Sequence, residues 1–211
     1  MVSEVLDIVT RSLWISGTAT AISMCWSIPI AYYLARRRAE SAVAISEGLV
    51  GIPTVLLGLL LYLLLSRSGP LGFLNLLYTP YAIIVGESIL VTPLIISTSY
   101  RVLRYSIEVF EELALSLGAS ERQAAILAMK EALPGILSSF AMAFSRAVGE
   151  LGIALMVGGN IEGYTRVMTT AIALEVARGR FELATMLGAV LVSITVSIAI
   201  AIRIVKRYSW A

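Results

Sequence analysis

Five apolar stretches, each about long enough to cross a lipid bilayer as a helix, constrain this chain more than any other feature. A hydrocarbon core of about 30 Å takes roughly 20 helical residues to cross. Hydrophobic residues make up 58% of the 211 positions and charged residues only 14%, which is too apolar for a soluble domain of this size. The sequence therefore predicts an all-α, polytopic membrane bundle of about five transmembrane helices, formed by a single domain over residues 1–211. The predicted spans are 13–34, 49–65, 81–99, 135–157 and 183–202.

The positive charges collect on one side of these predicted spans. The chain has 16 Lys and Arg residues, and loops that face the cytoplasm are enriched in them. This bias predicts a multi-pass protein of the cell membrane with its N-terminus outside and its C-terminus in the cytoplasm. The charges form no basic patch of the kind that binds nucleic acid. The ten residues on the cytoplasmic side are 36, 37, 38, 101, 104, 122, 130, 203, 206 and 207.

A polar segment, residues 106–134, interrupts the apolar pattern. Ser106 is suited to cap the start of a helix, and Gly118 is suited to end it. Ser120 and Gln123 then have the spacing of a capping box, in which each side chain bonds a backbone N–H of the new helix end. The pattern predicts two short helices that meet at an elbow on the cytoplasmic side.

The first of these two helices is predicted to be amphipathic. Glu108, Glu111 and Glu112 are expected to face water. The apolar residues at helical spacing, expected to pack on protein or membrane, are Ile107, Phe110, Ala114 and Leu117. From spacing alone, the segment fits a connector between two spans as well as it fits a docking element.

Charged residues inside the predicted spans are the candidates for a function. Arg146 and Glu150 lie four positions apart and share a helix face, so they can form an ion pair. Such charges are costly in lipid and are expected to face protein or a wet cavity. The pair is either purely structural or lines and gates a path for an anion. Glu87 is the third such charge, and it could pair with Arg146 across the bundle.

Several sequence patterns that would indicate an enzyme are missing. The two lysines, Lys130 and Lys206, do not follow a glycine-rich phosphate-binding loop, so the chain is not expected to hydrolyse ATP by that means. The chain has no histidine, and its single cysteine lies in an apolar stretch, so no metal site is expected. No serine occupies a nucleophile elbow. We therefore expect no catalytic residue and no cofactor bound by this chain.

The elbow carries a motif that resembles a known family. Glu112-Leu113-Ala114 is followed, after three residues, by Gly118-Ala119-Ser120. This run resembles the EAA loop of type I ABC importer permeases, which docks into the ATP-hydrolysing subunit. The resemblance implies a coupling loop formed by Glu111, Glu112, Leu113, Ala114, Leu117, Gly118, Ala119 and Ser120.

A second stretch narrows the resemblance to permeases for oxyanions. The pattern around Arg146, Gly149 and Glu150, followed by Gly159-Asn160-Ile161, is similar to that of molybdate and sulfate permeases. The tungstate permeases resemble the chain more closely, over residues 156–161 and 165–172. The charged residues of the predicted spans, Glu87, Arg146 and Glu150, are our candidates for lining or gating such a translocation path.

The resemblance also implies partners. These are a second copy of the chain, two ATPase subunits that bind ATP and magnesium, and an extracytoplasmic binding protein that delivers the anion. Gly159, Asn160 and Arg166 would lie on the side of the binding protein, where Arg166, Arg178 and Arg180 could attract an anion. Three alternatives stay open: an importer of molybdate or sulfate, a secondary carrier without an ATPase, and a membrane-embedded enzyme.

Overall fold

The structure is a computed structural model that describes the backbone of residues 2–209 and the side chains of residues 3–201. Its described part is built from helices, without a β-strand. The predicted charges at positions 203, 206 and 207 lie outside the described side chains. The helices are α1 (Val2–Arg37), α2 (Glu40–Leu49), α3 (Thr54–Leu65), α4 (Pro80–Ser106), α5 (Glu112–Ser116), α6 (Glu121–Val148), α7 (Gly152–Gly158), α8 (Met168–Ala177) and α9 (Phe181–Ser209).

The prediction of about five membrane spans is confirmed. Within the described residues, α1, α6, α9 and the unit formed by α4 and α5 are each long and apolar enough to cross a membrane. The predicted second span is different, because α2 and α3 together form a pair bent by 90°. Pro53 lies at this bend, where it has no backbone N–H to continue the helix. Counting the bent pair as one span gives five.

The predicted fourth span, 135–157, is wrong in its bounds. Helix α6 begins at Glu121, next to the elbow, and continues through Pro134 to Val148. The chain then breaks over residues 149–151 before the short helix α7. The second elbow helix is therefore not a short one, because it is the first part of a membrane span.

Helices α1 and α4 pack against each other along a stripe of small polar residues. These residues lie three or four positions apart on α1 and are almost completely buried, and small side chains allow two helices to approach closely. They are Ser12, Ser16, Thr20, Ser23 and Ser27. Within the stripe, Ser23 Oγ contacts Thr92 Oγ1 of α4 at 2.9 Å.

The bundle has two ends, which we call the elbow end (residues 106–120) and the loop end (residues 66–79 and 159–167). At the loop end, the Tyr78 backbone N–H donates to the Val157 carbonyl at 2.7 Å. The Met168 N–H donates to Ser12 Oγ at 2.8 Å, so α8 begins against α1. Helix α8 ends at Ala177, and Gly179 follows it with a φ of +73°.

Candidate functional site

The elbow is fixed by two helix caps that follow each other directly. Gly118 has a φ of +87°, in the left-handed region that glycine adopts most easily. Its N–H donates to Leu115 O at 3.0 Å, and the Ala119 N–H donates to Ala114 O at 3.0 Å, which together form a Schellman cap. The predicted capping box is confirmed: Ser120 N–H donates to Gln123 Oε1 at 2.9 Å. The elbow therefore has one defined geometry.

The predicted helix start at Ser106 is wrong. Ser106 has helical backbone angles and makes no capping bond, because α4 continues through it into a π-helical turn over Ile107–Glu111. Helix α5 follows without a break, and α4 and α5 form one apolar unit, Pro80–Ser116. The elbow is thus the direct continuation of a membrane span.

The predicted exposure of Glu111 is also wrong. Its side chain is only 3% exposed and forms an ion pair with Arg36, with Arg36 Nη2 and Glu111 Oε1 2.6 Å apart. The Tyr32 hydroxyl donates to the other carboxylate oxygen at 3.3 Å. A π-helical turn inserts an extra residue into the helix, and this rotates Glu111 from the water face toward α1. We call Tyr32, Arg36 and Glu111 the elbow clamp.

A second set of contacts supports the elbow clamp. Arg104 donates to the Ala35 carbonyl at 3.1 Å and also forms an ion pair with Glu108. Arg38 lies 3.7 Å from the same carboxylate. The sequence signal for these contacts is the arginine run at the end of α1, which the charge bias explains only as a marker of membrane orientation. Glu108 and Glu112 are exposed, as predicted.

Leucines at the tip of the elbow form an exposed apolar patch. Leu117 is 80% exposed and Leu113 is 55% exposed, and Leu115 is exposed as well. Leu117 does not pack within the described chain, because the Schellman cap turns the chain at this residue and leaves its side chain outside; its packing on another protein or on the membrane stays a prediction. Ile107 and Ala114 are buried, as predicted. Exposed apolar patches of this kind mark surfaces that bind another protein or a membrane.

The predicted ion pair in the membrane interior is formed. Arg146 Nη1 lies 2.7 Å from Glu150 Oε2. The other carboxylate oxygen of Glu150 accepts from the Ile153 N–H at 3.2 Å, and its carbonyl accepts from Thr169 Oγ1 at 2.7 Å. Glu150 therefore holds together the break between α6 and α7, while the Arg146 side chain remains 36% exposed.

Glu87 does not form the predicted pair with Arg146 in this structure. The residue is 1% exposed, and its Oε2 atom has no hydrogen-bond partner among the described residues. Ser16, Arg146 and Glu150 are its polar neighbours. The physical reason is that Glu150, on the turn directly after Arg146, already neutralises the guanidinium.

The loop end uses its polar residues to shape the loop. Asn160, at a φ of +51°, accepts a bond from Arg166 Nε at 3.3 Å. Arg166 is 8% exposed and also pairs with Glu162 at 3.2 Å. Gly159 has a φ of +72°, and a Cβ there would lie 2.7 Å from a ring carbon of Tyr78. The loop therefore needs these residues for its own geometry.

The three arginines expected to attract an anion at the loop end all have carboxylate partners. Arg178 and Arg180 both pair with Glu175, at 3.4 Å and 2.5 Å. With Arg166 bound to Glu162, the three arginines share two carboxylates, so these partners leave one positive charge uncompensated. In the part of the chain that the structure describes, no three His, Cys, Asp or Glu side chains are grouped so that they could hold a metal ion.

The described spans are those of a multi-pass membrane protein, and comparison with known families gives its class. Residues 23–209 match the family described as binding-protein-dependent transport system inner membrane component, and the chain belongs to this family. It is therefore a multi-pass membrane subunit of a transport system that works with a binding protein.

Three relatives are similar over most of the chain. The tungstate uptake system permease protein of Peptoclostridium acidaminophilum is 38% identical over 92% of this chain and 87% of its own length. A probable anion ABC transporter permease protein of Haloferax volcanii is 35% identical over 92% and 87%. The tungstate uptake system permease protein of Campylobacter jejuni is 37% identical over 69% and 61%. Molybdenum and sulfate permeases match at 26–29% identity, so the predicted resemblance to oxyanion permeases is confirmed.

Proposed function

We propose that this chain is the permease of an ATP-driven importer for tungstate. Two copies would form the membrane path, two ATPase subunits would bind ATP and magnesium, and an external binding protein would deliver the anion. The elbow end would face the cytoplasm together with the C-terminus, and the N-terminus would lie outside. The whole chain would act as one permease domain without a catalytic residue or cofactor of its own.

The observation that carries this proposal is the form of the elbow. Leu117 and Leu113 are presented to solvent on a turn that two caps hold in place. An apolar patch on a rigid support is suited to dock into a groove of a partner, since little conformational entropy is lost on binding. The residues implied by the family resemblance, Glu111 to Ser120, are the ones that form and support this patch.

The connections of the elbow suggest how ATP hydrolysis would act on the membrane path. On one side the elbow continues α4, and on the other it begins α6. The elbow clamp ties it to the end of α1. A displacement by the ATPase would therefore reach three spans at once, and α6 carries Arg146 at its other end.

Arg146 is the residue we assign to the anion path. Its side chain is partly exposed although it lies in a membrane span, and Glu150 fixes its position at the helix break. A guanidinium in such a place can attract an oxyanion and release it again, because the neighbouring carboxylate competes for it. Glu87 lies beside this pair. Gly159, Asn160 and Arg166 would shape the surface that receives the binding protein.

The test of this proposal is reconstitution of the complete transporter in lipid. The chain is co-expressed with a candidate ATPase and a binding protein from the same genome. We expect ATP hydrolysis to rise with binding protein loaded with tungstate, and to rise less with molybdate or sulfate. A stronger response to molybdate or sulfate would show that this anion, and not tungstate, is the substrate. Uptake by the chain alone, without ATP, would favour the secondary carrier.

A matched pair of variants tests the role of the elbow. Leu117→Asp places a charge in the apolar patch and is expected to abolish co-purification of the ATPase. Leu74→Asp makes the same change at the loop end, where Leu74 is also exposed, and should leave co-purification intact. Equal retention of the ATPase by both variants would contradict docking at the elbow.

A further inference from the structure

Glu87 differs from the other buried carboxylates of the described chain in having no cationic partner. Glu111 pairs with Arg36, Glu150 with Arg146, and Glu175 with two arginines. Glu87 is as deeply buried as these three, yet it forms no ion pair within the described residues, and one of its oxygens has no hydrogen-bond partner. Its chemical state therefore needs a separate explanation.

The surroundings of Glu87 offer no free positive charge. Helix α1 faces it with Ser16, α6 with Arg146, and the break after α6 with Glu150. Helices α3 and α7 contribute no Asp, Glu, Lys or Arg at all. Arg146 is bound to Glu150, and the negative charge of Glu150 would repel a second carboxylate nearby. A buried carboxylate without a partner is so poorly solvated that it takes up a proton instead.

We propose that Glu87 carries a proton and serves as a neutral hydrogen-bonding side chain between α4 and the polar stripe of α1. Ser16 is the neighbour on that stripe. A protonated carboxyl can donate to a hydroxyl or carbonyl oxygen with its O–H and accept with its other oxygen.

The neutral state has a consequence for transport that rests on the proposed function. Arg146 and Glu150 together have no net charge, so the cluster is neutral if Glu87 is protonated. An ionised Glu87 would give the cluster a net charge of −1 beside the residue assigned to the anion path. In a medium of low dielectric constant, that charge would oppose the passage of an oxyanion.

Infrared spectroscopy of the complete chain in lipid bilayers tests the protonation directly. At about pH 8, exposed carboxyl groups are ionised and do not contribute to the C=O band of protonated acids. We expect the parent chain to show such a band and Glu87→Gln to lose it. Glu111→Gln is the matched control, because it removes a buried carboxylate that pairs with Arg36 at the elbow and leaves Arg146 and Glu150 in place; that variant should retain the protonated band.

Two outcomes of this experiment would overturn the proposal. One is a folded Glu87→Gln variant that loses intensity in the bands of ionised carboxylates and keeps the C=O band of protonated acids. The other is a parent chain, labelled with ¹³C-glutamate, that shows no protonated glutamate; this measurement does not depend on any variant folding. Neither spectrum requires transport, so a failure of the proposed function leaves this test intact.

Uptake by the reconstituted transporter tests the consequence for transport. Glu87→Gln is neutral at every pH, so we expect the ratio of the parent's uptake rate to that of Glu87→Gln to fall when the pH is raised far enough to ionise Glu87. A ratio that instead rises with pH would show that the negative charge of Glu87 supports transport, and would overturn the proposal. If the parent transporter takes up no oxyanion, the proposed function fails, whereas the protonation of Glu87 is still decided by the spectra.

Discussion

The elbow clamp makes an asymmetric prediction about its two charged residues. The Glu111 side chain is 3% exposed, whereas that of Arg36 is 44% exposed. Removal of Arg36 leaves a buried carboxylate with only the Tyr32 hydroxyl as a partner. Removal of the Glu111 charge leaves an arginine that water can reach. Arg36→Met is therefore expected to destabilise the chain more than Glu111→Gln.

The magnitudes follow from this difference in burial. Removing one partner of a fully buried pair costs about 3–5 kcal/mol, and the partial exposure of Arg36 reduces this to about 2 kcal/mol for Arg36→Met. Glu111→Gln keeps an acceptor for Tyr32 and should cost about 1 kcal/mol. The double variant has no unpaired Glu111 carboxylate. Its loss of unfolding free energy should therefore be smaller than the sum of the two single losses by about 1–2 kcal/mol.

Thermal unfolding of the detergent-solubilised chain, followed by tryptophan fluorescence, measures these effects. For a chain of this size, about 2 kcal/mol corresponds to a fall of about 4–8 °C in the midpoint. Arg37→Met is the matched control, because Arg37 stacks on Tyr33 and forms no ion pair among the described residues. It should change stability by less than about 0.5 kcal/mol.

The order of the variants decides whether this reasoning holds. If Glu111→Gln destabilises the chain more than Arg36→Met, burial does not control the energy of the pair. If the two costs simply add in the double variant, the side chains do not interact and the clamp is refuted.

Three further predictions concern the elbow, the membrane interior and the packing of the helices. Gly118→Val forces a β-branched residue into the left-handed region, at a cost of at least about 1–2 kcal/mol, and should uncouple ATP hydrolysis from transport. Gly118→Asn, which tolerates that region, should remain coupled, as measured by stimulated ATPase activity and uptake in parallel. Arg146→Ala should lower uptake more than membrane abundance, and a parallel fall in both would instead support a purely structural pair. Gly152→Ala should cost about 1–3 kcal/mol, because its Cβ would lie 2.8 Å from Thr54 Oγ1; an unchanged thermal midpoint would show that α3 and α7 can separate freely.

Features that depend on neighbouring residues were predictable from the sequence. The Schellman cap, the capping box and the Arg146–Glu150 pair each lie within about two helical turns, so spacing and residue type are sufficient to indicate them. The apolar stretches likewise predicted the spans. At the elbow, the predicted end at Gly118 agrees with its φ of +87°.

Features that depend on distant contacts were not predictable. The elbow clamp joins residues 75 positions apart, and the burial of Glu111 follows from a π-helical turn that residue spacing does not reveal. The break at 149–151 is stabilised by Thr169, which comes from α8. An ideal helical period assigned Glu111 to water and joined α6 to α7, because it contains no information about these tertiary contacts.

The hydrogen bonds to Thr92 fix the helical unit Pro80–Ser116 to α1 at one point within its length. Ser23 and Trp26 of α1 both bond the Thr92 hydroxyl, at 2.9 Å and 2.8 Å, beside Pro93, where the helix lacks a backbone bond. At about 1.5 Å per residue, the arm from this fulcrum to the elbow is about 36 Å long and the other arm about 18 Å. If the unit rotated as one rigid body about this point, a displacement at the elbow would be about halved at the loop end.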